Sequence, residues 1–221
     1  MNIKQAMQER HAVRNYVDRP IEPKVVEALE IIVAECNKES GLHIQLVRDE
    51  PLAFNSKGIH YGKFTGVKNY IALIGKKSAG LEEQCGYYGE RIVLEAQMLG
   101  LNSCWVGMSY KKVPEAFQID PGEKLVIVIA IGYGKTGGMQ HKSKEAVSIS
   151  KFYNNGPSWF KAGVDAALLA PSALNQQKIQ FELDGDRVRA KAGIGFNTKI
   201  DLGIAKYHFE VGADKGRDIW V

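Results

Sequence analysis

Cysteine is scarce in this chain, with three residues in 221, at Cys36, Cys85 and Cys104. An odd, widely spaced set excludes a disulfide framework, a CxxC redox pair and a zinc pattern, and reads as reduced thiols in a cytoplasmic protein. Long apolar runs are missing too. The longest, Leu125 to Ile131, stops at Gly132 and falls far short of the ~20 residues that span a bilayer, so it reads as a buried strand. The opening stretch, Met1 to Asn15, lacks the apolar segment of a secretory signal. Neither sign of charge dominates. A net charge of +4 suits an anionic ligand but not a chain that neutralises many phosphates. The five histidines show no metal-ligand spacing, and no nucleophile–base pattern is readable. Proline is sparse, and 45% hydrophobic with 24% charged residues is a globular composition, enough for one large domain or two small ones.

What is present alternates between helical and strand periods. Ile3 to Val13 reads as a polar-faced helix. Pro23 suits the first position of a second helix, whose apolar stripe is Val25, Val26, Leu29, Ile32, Val33 and Cys36. Strands are expected at Leu42–Val47, Tyr70–Ile74 and Leu125–Ile131, the last covered on both faces, with an exposed loop over Asp49–Lys63. Gln84–Leu99 reads as a helix closed by Gly100 in a left-handed cap, followed by a short extended piece, Ser103–Gly107. In the last third, Ser158 is expected to cap a helix carrying Phe160, Val164, Ala167 and Leu168 inward. A turn after Pro171 leads to a hairpin, Ile179–Leu183 and Arg187–Ala190, around Asp184-Gly185-Asp186. A final helix is expected over Asp201–Ala213. An offset of ~135 residues carries Val25, Leu29, Val33, Ile44 and Leu46 onto Phe160, Val164, Leu168, Ile179 and Phe181, which points to duplicated halves.

Three stretches carry chemistry. On the expected first helix, Arg10 and Arg14 stand one turn apart beside His11, a like-charge pair that an anion would relieve; the bland alternative is a solvated basic face. The bend Ala170-Pro171-Ser172-Ala173-Leu174-Asn175-Gln176-Gln177 offers backbone N–H groups and small polar side chains to a ring or sugar, although Pro and Asn also suit a plain helix stop. Gly132-Tyr133-Gly134-Lys135-Thr136-Gly137 formally fits GxGxxG, but no helix pattern follows to receive a pyrophosphate. A P-loop would need glycine at Ile129. Lys142 and Lys144, just beyond, remain simple cationic donors for a phosphate.

These residues resemble the nitroreductase family. Arg10-His11-Ala12-Val13-Arg14 is similar to its R-[RH]-S-x-[RK] opening, and Ala170 to Gln177 to its A-P-S-S-x-N-x-Q-P stretch. Glu95-Ala96-Gln97-Met98-Leu99-Gly100-Leu101 with Cys104-Trp105-Val106-Gly107 resembles its A-x-x-L-G-L-x-x-C-W-[IV]-G. Ile129 to Tyr133, leading to Lys142 and Lys144, resembles its A-x-G-Y strand and basic loop. Ala12 stands where the family has Ser, and Lys178 where it has Pro. The first half has lost the Pro-Ser-Ser pattern at Cys36 to Ser40, and the second carries no Arg signature near Pro157.

The resemblance implies an α+β fold with mixed or antiparallel sheets flanked by helices, and two related halves, 1–150 and 151–221, forming a pseudo-dimer in one chain. It implies FMN, with Arg10, Lys142 and Lys144 on the phosphate and His11 nearby. Arg14 would lie at the pyrimidine edge, and Val106 and Gly107 near flavin N5. Pro171, Ser172, Ala173 and Asn175 would contact ring and ribityl chain. The expected activity is hydride transfer from NAD(P)H through the flavin to a nitroaromatic, quinone or similar flat electrophile. The expected protein is a cytoplasmic monomer with no metal, nucleic-acid or membrane partner. Two alternatives stay open: a flavoprotein on this fold that is not a reductase, and a flavin-free anion- or nucleic-acid-binding module.

Overall fold

In the computed structural model the chain is described over residues 1–55 and 63–221, so 56–62 of the expected Asp49–Lys63 loop lie outside the described residues. Packing gathers it into two compact units. One comprises Glu9–Leu81 and Ile92–Gln140; the other Met1–Gln8, Glu82–Arg91 and His141–Val221. Both are therefore discontinuous in sequence.

The first unit is built on a four-stranded antiparallel sheet. Its strands are β1 (Gln45–Val47), β2 (Asn69–Lys76), β3 (Asn102–Val106) and β4 (Glu123–Gly132), in the order β1-β2-β4-β3. The apolar run seen in the sequence is the inner strand β4, with Ile129 opposite both Ile71 and Trp105. Alternation sends Tyr70, Ala72, Ile74, Val128 and Ala130 to one face, against Val13, Tyr16, Phe54 and Phe117. Ile131 faces the other way, onto Val26, Leu29 and Ala96.

Those last residues belong to helices α2 (Pro23–Ser40) and α3 (Leu81–Met98). Helix α2 starts on Pro23 and ends on Gly41, whose φ of 70° is the left-handed closure that returns its N–H to the Asn37 carbonyl. Its buried stripe is Val26, Leu29, Val33 and Cys36; full burial of each of the three aliphatic side chains contributes about 1.5–3 kcal/mol. Gly100 closes the α3 end at φ 82°, as its position after the apolar period requires.

The N-terminal expectation is corrected. Helix α1 covers Ile3–Glu9 only. Beyond it the chain is drawn into an extended path: Ala12 bridges Ser103, the Val13 N–H donates to the Ser103 carbonyl at 3.0 Å, and Tyr16 bridges Gly134. Backbone bonds to β3 replace the intrahelical ones, so Arg10 and Arg14 do not share a helical turn. The first strand is also shorter than Leu42–Val47.

The second unit holds α1, the first half of α3, α4 (Ala146–Ile149), α5 (Ser158–Ala167), a two-stranded antiparallel hairpin, and α6 (Thr198–Ala213). The hairpin pairs β5 (Ile179–Asp184) with β6 (Arg187–Ala192), Asp184 opposite Arg187 across a two-residue turn. Ser158 is the first helical residue of α5 and caps nothing; Pro157, extended, precedes it. Helix α6 is buried along most of its length. Phe209 on α6 stacks on Phe181 of β5 with centroids 5.0 Å apart, and Phe160 of α5 and Trp220 complete this core. The named strands of both sheets are antiparallel throughout, so the mixed alternative does not arise. All three cysteines are buried and unbridged.

Candidate functional site

The predicted site residues fall into two sets, one in each unit. In the sheet unit, the segment running beside β3 carries Arg10, His11 and Arg14. Arg10 is buried at 3% exposure, His11 is half-buried and Arg14 is exposed. The Arg14 carbonyl accepts from Thr65 N–H at 3.0 Å, which fixes the backbone beneath its side chain. Burial pushes the Cys104 thiol up, while Arg14 and Arg10 both pull it down. Two guanidinium groups therefore act on one point of β3 without a helix to align them. Burial likewise raises the neighbouring Tyr16 phenol, which donates to the Ala130 carbonyl at 3.3 Å. Val106 is buried at the end of β3 and Gly107 emerges exposed.

The glycine loop after β4 does not open a helix. The Gly134 N–H donates to Asn102 Oδ1 at 3.0 Å, and the Lys135 N–H to the Asn15 carbonyl. A Cβ on Gly138 would stand 2.8 Å from that of His11. The glycines let this loop lie flat on the Arg10–Arg14 segment. They pack it there and do not cradle a pyrophosphate.

In the second unit, the lysine loop and the polar bend are laced together. Asn175 Nδ2 and Gln177 Nε2 both donate to the Lys142 carbonyl, at 2.9 and 2.8 Å. The Lys144 N–H donates to Gln177 Oε1 at 2.8 Å, and its ammonium to the Gln177 carbonyl at 3.1 Å. Ser172 Oγ accepts the Gln177 N–H at 3.0 Å. Lys142 and Lys144 are exposed, whereas Pro171, Ser172 and Ala173 are half-buried. The structure thus gives Asn175 an internal duty: it fastens the bend to the loop that carries the lysines.

The bend is conformationally costly. Leu174, Asn175 and Gln177 have φ of 54°, 52° and 44°, a region that L-residues other than Asn and Asp rarely enter. Residues held this way persist only where surrounding bonds over-determine them, and they concentrate at sites that bind or react. One such bond comes from Asp201, which sequence reading did not single out. Its Oδ1 accepts the Ala173 N–H at 2.9 Å and its Oδ2 accepts from Gln176 Nε2 at 3.0 Å. A partner nearly thirty residues away, on another element, leaves no local signal.

Two other clusters are made of residues outside the predicted set. A shallow cleft of about 40 Å³ beside Tyr16, Arg19, Lys68 and Tyr133 has room for little more than a water molecule. His43, Asp120 and Glu123 bring one ligand atom each within 4.8 Å, a grouping hidden by its sequence separation. There His43 Nδ1 already pairs with Glu123 at 2.8 Å. Among the described residues no helix is long and apolar enough to cross a membrane.

An antiparallel sheet covered by helices, joined in one chain to a helical unit with a lysine-bearing polar bend, defines an α+β fold of the nitroreductase kind. The chain belongs to the nitroreductase family described as "Putative TM nitroreductase", which matches residues 2–213. Among solved structures it is similar to a "putative nitroreductase" from Thermotoga maritima, with 24% identity, TM-score 0.66, and coverage of 96% of this chain and 83% of that one. A "putative nitroreductase" from Desulfovibrio desulfuricans in complex with FMN matches at 18% identity and TM-score 0.51, covering 66% and 94% of the two chains. A "Putative NADH Oxidase" from Clostridium acetobutylicum matches at 19% and 0.52, covering 65% and 96%. At these identities the likeness speaks for the fold alone. No curated protein matches the chain.

Proposed function

We propose that the chain is an FMN-dependent oxidoreductase that passes a hydride from NAD(P)H, through flavin N5, to a flat electrophile such as a nitroaromatic or a quinone. One observation carries this reading: a strained polar bend, Ser172 to Gln177, is hydrogen-bonded onto a loop presenting Lys142 and Lys144. Family membership supports it, as do the FMN held by the Desulfovibrio neighbour and the NADH chemistry in the name of the Clostridium one.

The donor chemistry fits the cofactor. A phosphate dianion calls for fixed cations, and Arg10, Lys142 and Lys144 supply them with His11 beside Arg10. A ribityl chain and ring edge call for neutral hydrogen-bonding groups and small apolar contacts, which Ser172, Asn175, Pro171 and Ala173 offer. We assign Val106 and Gly107 to the neighbourhood of N5, where the exposed Gly107 leaves backbone accessible. Arg14 is a permanent cation and is assigned to the pyrimidine edge, where it would stabilise negative charge. Bound FMN would supply the two-electron chemistry, and no side chain of the two sets is assigned as an acid or base.

We also infer that 1–150 and 151–221 are related halves of a duplicated unit, acting as a monomeric pseudo-dimer in the cytoplasm. Helices α2 and α5 begin about 135 residues apart, the offset of the apolar repeat, and Leu29, Ile44, Phe160, Val164, Ile179 and Phe181 are all buried.

The test is optical. Purified protein, or protein incubated with FMN, is expected to be yellow and to bleach anaerobically with NADH or NADPH, then recover when a quinone is added. Yellow protein that neither nucleotide bleaches favours a flavoprotein of another activity. Protein that stays colourless with FMN, and binds polyanions in a salt-sensitive way, overturns the flavin reading.

A further inference from the structure

We propose that Asp201 is a positioning residue: from the first turn of α6, its two carboxylate oxygens hold Ala173 and Gln176 and so keep the bend between them in its left-handed form. Its consequence for FMN rests on the reading above; its consequence for the bend does not.

A left-handed non-glycine residue is disfavoured by roughly 1–2 kcal/mol, and here two adjacent ones, Leu174 and Asn175, are followed by Gln177. The bonds available at the start of the bend are few. Among the described residues Ala173 N–H reaches Asp201 alone, at 2.9 Å, while Asn175 N–H closes a turn onto the Ser172 carbonyl at 3.0 Å. At its end, Gln176 Nε2 donates both to Asp201, at 3.0 Å, and to the Phe196 carbonyl, at 2.5 Å. The Gln176 amide lies against Gly195, where an added Cβ would stand 2.4 Å from its Oε1. One carboxylate therefore grips both ends of the segment that must bend backwards.

Asp201 itself is 2% exposed, and no cationic side chain pairs with it among the described residues. A carboxylate buried without a counter-charge is expensive unless its oxygens are used. Here the two N–H donors and the N-terminal turn of α6 use them, the helix favouring negative charge there. Release of that carboxylate would free Leu174 to return to ordinary backbone. Asn175 would then turn away from Lys142, and the bend and the lysine loop would part.

Three variants separate the possibilities. Asp201→Ala removes both bonds. Asp201→Asn keeps an acceptor for Ala173 but faces Gln176 with a second donor, and Gln176→Ala removes that bond alone. Amide hydrogen exchange in the cofactor-free protein is read at Asn175 and Gln177, with Phe181 of β5 as the reference. In Asp201→Ala the first two amides are expected to lose protection while Phe181 keeps it, and FMN, titrated by quenching of its fluorescence, to bind about tenfold more weakly. The two milder variants are expected to lose about threefold. Unchanged protection at Asn175 and Gln177 overturns the proposal. Should Asp201→Ala fail to fold, the milder variants decide it by the same amides. If the wild type binds no FMN, the flavin reading fails, and the exchange data still settle what Asp201 does.

Discussion

Burial holds the Asp201 carboxyl up at about 6, against an ordinary 3.8, with the Ala173 and Gln176 hydrogen bonds pulling the other way. The folded protein therefore binds this proton more tightly than the unfolded chain does. The stability that follows is fully present below about pH 4 and is lost as pH rises through about 6. Two pH units at ~1.4 kcal/mol each set the size at up to about 3 kcal/mol. Asp201→Asn cannot ionise, so the difference in urea midpoint between wild type and variant is expected to shift steadily in favour of the variant between about pH 4 and pH 7 and then level off. Parallel curves across that range would show that Asp201 does not titrate there. Glu210 is also raised by burial, but it is common to both proteins and cancels in the difference.

Helices α3 and α6 meet through two glycines, and neither position tolerates a side chain. A Cβ on Gly203 would stand 1.9 Å from the Glu83 carbonyl oxygen, and one on Gly86 2.1 Å from that of Ile200. Both obstacles are backbone, so relief requires the helices to separate. Gly203→Ala and Gly86→Ala are each expected to lower stability by about 3 kcal/mol, or to prevent folding. Gly80→Ala, at the exposed start of α3 with nothing within 4 Å, should change it by less than about 0.5 kcal/mol. Urea denaturation of the three proteins is the check, and equal midpoints would refute the close crossing. Elements of this kind were legible where their determinants are local: Pro23 opens α2, Gly100 closes α3, and Gly185 turns the hairpin. The Arg10–Arg14 segment was not. Its helix-compatible residues pair with Ser103 and Thr65, and Tyr16 just beyond them with Gly134, all remote in sequence, and tertiary bonds outweighed its period. Ser158 misled for a smaller reason: Pro157 fixes φ near the helical value, and the helix takes Ser158 as its first residue.

At the scale of the whole chain, the sequence named the groups that carry charge and polarity but not the bonds that arrange them. Lys142, Lys144, Ser172 and Asn175 could be picked out from a basic loop and a Pro-Ser bend. That Asn175 and Gln177 tie those two stretches together, and that Asp201 holds the bend, depends on contacts between 25 and 35 residues apart. The division of labour this suggests can be tested with a pair of ligands. Riboflavin has the ring and ribityl chain of FMN without its phosphate, so its affinity reports the bend, and the ratio of the two affinities reports the cations. Lys144 serves both, since its ammonium also holds the Gln177 carbonyl; among the described residues Lys142 engages the bend through its backbone carbonyl alone. Lys142→Ala is therefore expected to weaken FMN about tenfold and leave riboflavin unchanged, whereas Lys144→Ala should weaken both, FMN the more. Thermal shift reads this directly, because a ligand at about a hundred times its dissociation constant adds about 2.7 kcal/mol to the folded state. Raising the salt concentration should erode the FMN advantage in the wild type and erode it less steeply in Lys142→Ala, where Lys144 and Arg10 remain, as screening acts only on charge that is present. If FMN and riboflavin shift the wild type equally, the lysines do not see a phosphate.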